Sequence, residues 1–126
     1  MKEIKIAINI APVTKKNSQR LIHAKGRIIP IPSKKYEQYQ KDAGYFLRPI
    51  MIDYPVNIKA LYYMPTRRRV DLTNLHEALH DTLVHHGVIE DDNSNIVAAT
   101  DGSRVLYDKE NPRTEVYITP FYDVPF

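Results

Sequence analysis

Two sets of side chains in this sequence have types and spacings suited to chemistry. The first is His76-Glu77-Ala78-Leu79-His80. This H-E-x-x-H order sets two imidazoles one helical turn apart with a glutamate base between them, as in zinc hydrolases. The second is a group of carboxylates, Asp71 before that stretch and the pair Asp91-Asp92 after it. Two or three convergent carboxylates hold Mg2+ or Mn2+ through oxygen, and such a cation promotes attack of water on a phosphodiester. Neither motif is specific by itself. A His-rich amphipathic helix produces the five-letter string by accident, and paired acids are common in exposed turns.

Helical geometry separates the two. On a wheel turning about 100° per residue, Leu72, Leu75, Leu79 and Leu83 form one apolar stripe, with His76 and His80 flanking it. Asn74, Glu77 and Asp81 lie together on the opposite, polar side. Zinc needs a third ligand. The position where such sites turn the chain with a glycine holds Leu83, on the stripe itself. In an unbroken helix His86 points about 80–120° away from the pair. The histidines therefore read as packing or surface residues, with a zinc hydrolase as the most distant alternative.

The elements that must position the carboxylates follow from periodicity. Residues 3–10, "EIKIAINI", alternate like a strand, and the basic "APVTKKNSQR" after them reads as a loop. "LIHAKGRIIPI" predicts two short extended pieces around Lys25-Gly26, with Pro30 and Pro32 ending regular pairing. Ser33 caps a helix through "KKYEQYQKDAGYFL". Residues 54–65 form a strand closed by Pro65, and a helix runs from Leu72 to His86 with Gly87 ending it. "IVAATDGSRVLYD" reads as one bulged strand or a tight hairpin, and "NPRTEVYITPF" as a last strand. The order β, α, β, α, β, β predicts one α+β domain over residues 1–126, with two main helices packed on a mixed sheet. A helix of about 15 residues spans roughly 22 Å. Asp71 and Asp91-Asp92 meet at one end of the sheet only if a strand returns beside the one leading to Asp71.

Charge adds a partner. Of the 126 residues, 1–69 hold 15 Lys/Arg against 4 Asp/Glu, and 70–126 hold 3 against 11. A basic half fits a polyanion, since Lys and Arg on phosphates displace condensed counterions. An acidic cluster beside it repels phosphate unless a cation sits between, which is the arrangement of metal-dependent chemistry on nucleic acid. No apolar run is long enough to span a bilayer. The start, "MKEIKIAINIAP", lacks the continuous apolar core of a signal peptide. With no cysteine there is no disulfide or thiol nucleophile, which suits the cytoplasm.

Order, spacing and residue type agree in one longer string. "RRRVDLTNLHEALHDTLVHHGVIEDDNSNIV" resembles the RusA family of Holliday-junction resolvases, with its basic stretch, D-x-[D/S/T]-N-L, helical aspartate, glycine and DD pair. Here these elements are Asp71-Leu72-Thr73-Asn74-Leu75, Asp81, Gly87 and Asp91-Asp92. "TKKNSQR" and "PSKKYEQYQ" also resemble phage and Firmicutes members. The resemblance implies a Mg2+-dependent endonuclease (Mn2+ possible) that works as a homodimer in DNA recombination and repair. Such an enzyme resolves four-way DNA junctions by paired symmetric cuts, leaving 5′-phosphate and 3′-hydroxyl ends. It further implies that Asp71 and Asp92 are metal ligands, with Asp91 beside them in the catalytic set.

Two positions depart from the family. Thr73 replaces its second acidic residue, and Glu77 replaces a lysine, so Glu77 or Asp81 is a candidate substitute carboxylate, and Asn74 a helix cap. Lys15, Lys16, Arg20, Arg67, Arg68 and Arg69 are the candidates for guiding the DNA backbone. Tyr36, Tyr39 and Tyr45 read as core or interface residues rather than base-stacking ones. The competing expectations are a nuclease for flaps or forks, and a junction-binding protein whose catalysis is impaired by Thr73 and Glu77.

Overall fold

Alternation in residues 56–64 and 113–120 builds the centre of the sheet. In a computed structural model that describes residues 3–15, 20–31 and 34–122, the elements are β1 (Ile4–Ile8), β2 (Arg20–Ala24), β3 (Arg27–Ile31), α1 (Lys34–Ala43), β4 (Val56–Met64), α2 (Leu72–His85), β5 (Val97–Ala99), β6 (Arg104–Tyr107) and β7 (Arg113–Pro120). A short 3-10 turn, Gly44–Phe46, follows α1. The α+β domain with two main helices on a mixed sheet is what the sequence predicts.

β7 runs antiparallel between β1 and β4, and β5 and β6 lie along the far edge of β4, both parallel to it. Val56, Ile58, Ala60 and Tyr62 of β4, Thr114, Val116 and Ile118 of β7, and Ile8 of β1 are buried, while the residues between them are partly or fully exposed. Period-two patterning therefore assigns one face of the sheet to the core. Both helices cover that face, α2 through Leu75, Ala78, Leu79 and Leu83 and α1 through Tyr39 and Ala43. Each fully buried leucine contributes about 1.5–3 kcal/mol, so the leucine stripe fixes the axis of α2 on the sheet.

Gly87 ends α2 at φ +70. Its N–H bonds the Val84 carbonyl, and that of Val88 bonds Leu83, which is the Schellman arrangement that favours glycine at this position. The "IVAATDGSRVLYD" segment is one edge strand interrupted by a turn, since β5 and β6 run the same way beside β4. Side chains fill the gap in the ladder. The Asp101 N–H donates to Asn57 Oδ1, the Asn57 amide donates to the Asp101 carbonyl, and the Ala60 N–H donates to Ser103 Oγ.

β2 and β3 form a separate hairpin whose two loop residues, Lys25 and Gly26, have φ of 50 and 74. This is the left-handed pair that suits a two-residue hairpin loop. Pro30 does not end pairing as expected; it lies opposite Leu21 inside β3. Counting from the loop, that is a non-hydrogen-bonded pair, where no ladder bond needs an N–H. Ser33 and Pro32 fall outside the described residues.

Candidate active site and nucleic-acid interface

β4 leads through the loop of residues 65–70 to Asp71, the N-cap of α2. An aspartate at this position ordinarily turns its carboxylate onto the first free N–H groups of the helix, a contact worth about 1 kcal/mol. Asp71 makes no such side-chain bond. Among the described residues its Oδ2 accepts a single long contact, 3.3 Å from Asn74 Nδ2, and the residue is exposed. The cap position is filled by a carboxylate that the helix does not use. Asn74 orients it, and Thr73 lies exposed beside it.

Asp91 and Asp92 lie at the other end of the sheet. Ile89 bridges Ile52, the Glu90 N–H bonds the Ile52 carbonyl, and the Val56 N–H bonds Ile96. The intervening carboxylates are thus tied to the start of β4, whereas Asp71 follows its end. α2, 14 residues long and about 21 Å from end to end, separates them. The expected return strand exists as β5, but it pairs with Val56 and Asn57 at the beginning of β4, so the carboxylates do not meet within one chain. Among the described residues no group of three His, Asp or Glu side chains is arranged to hold a metal.

The two neighbours differ in employment. Asp91 Oδ1 accepts the Asp92 N–H at 2.7 Å and its Oδ2 accepts Asn93 Nδ2 at 3.1 Å, so Asp91 shapes the turn. The carboxylate of Asp92 accepts no hydrogen bond from a described residue.

The histidines are committed to packing. The Tyr62 hydroxyl and His76 Nδ1 are 2.6 Å apart, and the His76 and His80 rings stack at 5.3 Å and 7°. Both Nε2 atoms are buried with no hydrogen-bond partner among the described residues. Burial holds both imidazoles below their ordinary pKa, His80 at about 4 with His76 adding to the effect. His86, far from a third-ligand position, bonds the Gln40 carbonyl of α1 with its ring packed against Gly44, where a Cβ has no room. Glu77 faces elsewhere. Among the described residues no third ligand joins His76 and His80.

On the polar side of α2, Asp81 Oδ2 accepts both Lys15 Nζ at 3.1 Å and the Tyr36 hydroxyl at 2.8 Å, and Glu77 lies 3.8 Å from the same ammonium. Burial works to raise the Asp81 pKa, but the hydrogen bonds from Tyr36 and Lys15 and the charge of Lys15 hold it below the ordinary value. Asp81 through hydrogen bonds and Glu77 through a longer ion pair carry a lysine from a distant loop onto the helix face. If that cation serves phosphate, Lys15→Ala lowers affinity for a nucleic-acid probe about tenfold and reduces the slope of log affinity against log salt by about 1. Glu77→Lys in the Lys15→Ala background is expected to restore both in a filter-binding titration. No recovery in the double variant contradicts a phosphate role and leaves Lys15 as a tie between loop and helix.

Arg67, Arg68 and Arg69 are exposed on the loop before Asp71. Thr14, Lys35, Met64, Arg68, Arg69 and Val70 are among the walls of a trough of about 420 Å3 there. Arg68 also borders a second cleft toward β6. Lys35, which sequence reasoning overlooked, joins this basic wall; its place in the first turn of α1 was the available signal. Lys16 lies outside the described residues, and of Arg20 only the backbone, in β2, is described. Tyr36 and Tyr39 are core residues at 3% and 6% exposure, whereas Tyr45 is 91% exposed. No helix among the described residues is long and apolar enough to cross a membrane.

Residues 9–119 match the family model described as Endodeoxyribonuclease RusA. Crossover junction endodeoxyribonuclease rusA of Enterobacteria phage HK97 is 36% identical over 64 residues, which cover 48% of this chain and 53% of that protein. The match spans about half the length of that curated relative.

Proposed function

The chain belongs to the RusA family of endodeoxyribonucleases, and from that membership we propose that it is a metal-dependent endonuclease resolving four-way DNA junctions by paired phosphodiester cuts. The observation that carries the reading is the pair of uncommitted carboxylates, Asp71 beside a basic trough and Asp92 at the far end of α2. Their hard oxygen donors suit Mg2+, with Mn2+ able to replace it. One chain does not bring them together, so the fit depends on a second. In a two-fold dimer with antiparallel α2 helices, Asp71 of one protomer meets the partner's Asp92. Two such sites, related by the dimer axis, match the two symmetric strands of a junction.

When bound, the cation supplies positive charge to the scissile phosphate and Lewis acidity to the attacking water. The chain's own residues do the rest. Arg68, Arg69 and Lys35 draw the backbone along the trough toward Asp71. Asn74 keeps the Asp71 carboxylate turned outward, and Asp91 fixes the turn that presents Asp92. Thr73 contributes a neutral hydroxyl where other members of the family carry a carboxylate, which favours fewer charges at the site and weaker hold on the cation. Work in DNA recombination and repair follows from a junction substrate.

The test is cleavage of synthetic four-way junctions, forks, flaps and linear duplex with Mg2+, Mn2+ or EDTA. The expected result is symmetric nicking of the four-way junction, dependent on the cation, with linear duplex uncut. Preferential cutting of forks or flaps transfers the substrate to those structures. Binding of every branched form without any cutting identifies a junction-binding protein and overturns the enzyme reading.

A further inference from the structure

β6 is an edge strand, paired with β4 from Leu61↔Arg104 to Met64↔Tyr107. Edge strands are ordinarily guarded by charge or covered. At this edge Val105 and Tyr107 are 38% and 39% exposed. The loop after β4 swings Arg67 over them, with its guanidinium carbon 4.2 Å from the Tyr107 ring centroid. Met64, Val105, Leu106 and Tyr107 floor a cleft of about 350 Å3, and Arg67 and Arg68 form its rim. Thr66 and Arg68 also line the trough that leads to Asp71.

The Arg67 guanidinium over the Tyr107 ring extends that ring's π surface, and with the apolar floor and Arg68 it offers a nucleobase a stacking platform with cations placed for its phosphates. A second copy of this chain fits less well, because two-fold packing would set Arg67 and Arg68 against their own like charges. Bases inside a duplex are stacked and out of reach, whereas those at a branch point can leave the stack at low cost. We propose that the Tyr107–Arg67 cleft holds an unpaired base from the branch point, while Arg67 and Arg68 grip its flanking phosphates. The site thereby reads the branched character of the DNA next to Asp71. This deepens the nuclease reading and rests on it for the identity of the branch, but the cleft itself acts in binding.

The experiment measures affinity without divalent cation, so that binding is separate from cutting. The probes are a single-stranded oligonucleotide, a four-way junction and a linear duplex, each tested with wild-type protein, Tyr107→Ala and Tyr107→Trp. Base–aromatic stacking is worth about 1–3 kcal/mol per base. Tyr107→Ala is therefore expected to lose roughly tenfold or more on single strand and junction, with duplex unchanged. Tyr107→Trp is expected to retain wild-type affinity, and a 2-aminopurine at the branch point to lose fluorescence on binding wild type but not the alanine variant. Unchanged affinity of Tyr107→Ala for single strand and junction overturns the proposal. So does an equal loss on duplex, or a shift from dimer to monomer in sedimentation, which would mark the cleft as a protein interface. A wild-type protein that shows the tyrosine-dependent binding but cuts nothing sinks the nuclease reading and leaves this one standing.

Discussion

Asp71→Asn and Asp92→Asn are each expected to lower junction cleavage by roughly a thousandfold or more while leaving junction binding intact. The expectation rests on how the fold employs these carboxylates. Asp71 stands at a helix cap without hydrogen-bonding the helix, so an isosteric amide costs only the charge at the helix N-terminus, about 0.3–1 kcal/mol, and lowers the melting temperature by no more than a few degrees. It does remove a negative charge facing phosphate, so binding stays level or tightens. Asp92 accepts no hydrogen bond from a described residue, and the same reasoning applies. Asp91 differs, because both its oxygens hold the turn. Asp91→Ala is expected to lower stability as well as activity, whereas Asp91→Asn keeps one acceptor and part of both. Cleavage at wild-type rates by the Asp71 or Asp92 amide variant would show that the cation is held elsewhere.

The second large effect is on stability against pH. Burial holds His80 at about 4, against about 6.5 in an unfolded chain. As pH falls below about 6.5 the unfolded state takes up the proton first. Stability is therefore lost progressively from about pH 6.5 down to about pH 4, where the loss levels off. The full loss from His80 is about 3 kcal/mol, at about 1.36 kcal/mol for each pH unit between the two values. His76 is displaced in the same direction by burial and deepens the loss. His80→Leu removes the titration together with the unpartnered Nε2, and leucine suits the helix. Urea midpoints at pH 7 and pH 4.5 are expected to lie closer together in the variant than in the wild type, with His76 accounting for the gap that remains. Parallel pH profiles for the two proteins contradict a buried neutral His80.

Much of the fold was legible because local rules agreed. The leucines of α2 repeat at helical spacing and Gly87 follows them, so that helix and its end could be read directly. β4 and β7 alternate cleanly because one face of each is buried. Pro30 misled, since a proline ends a ladder only where an N–H is needed, and register decides that. The direction of "IVAATDGSRVLYD" was equally hidden, because a turn at Asp101-Gly102 serves a hairpin or an interruption alike.

At the site, residue types were legible and relations were not. The sequence marked Asp71, Asp91 and Asp92 and the length of helix between them, but not that the returning strand pairs with the start of β4 rather than its end. It marked Glu77 as a lost lysine, yet Lys15 brings an ammonium to within 3.8 Å of that position. An ion pair between residues so distant along the chain leaves no periodic trace. The histidines drew attention by spacing, and only the contact of His76 with Tyr62 shows what they do.

The central claim is that catalytic carboxylates from opposite ends of α2 meet across a dimer. Subunit mixing tests it most directly. Asp71→Asn and Asp92→Asn proteins, each inactive alone, are unfolded together, refolded and assayed on a four-way junction. Mixed dimers then contain one site with both native carboxylates and one with neither. The expected result is renewed cutting at up to about half the wild-type dimer's capacity in the mixed dimers, as single nicks rather than paired cuts. If each site is built within one chain, every site in the mixture keeps a defect, and a preparation that stays inactive although mixed dimers have formed contradicts the claim.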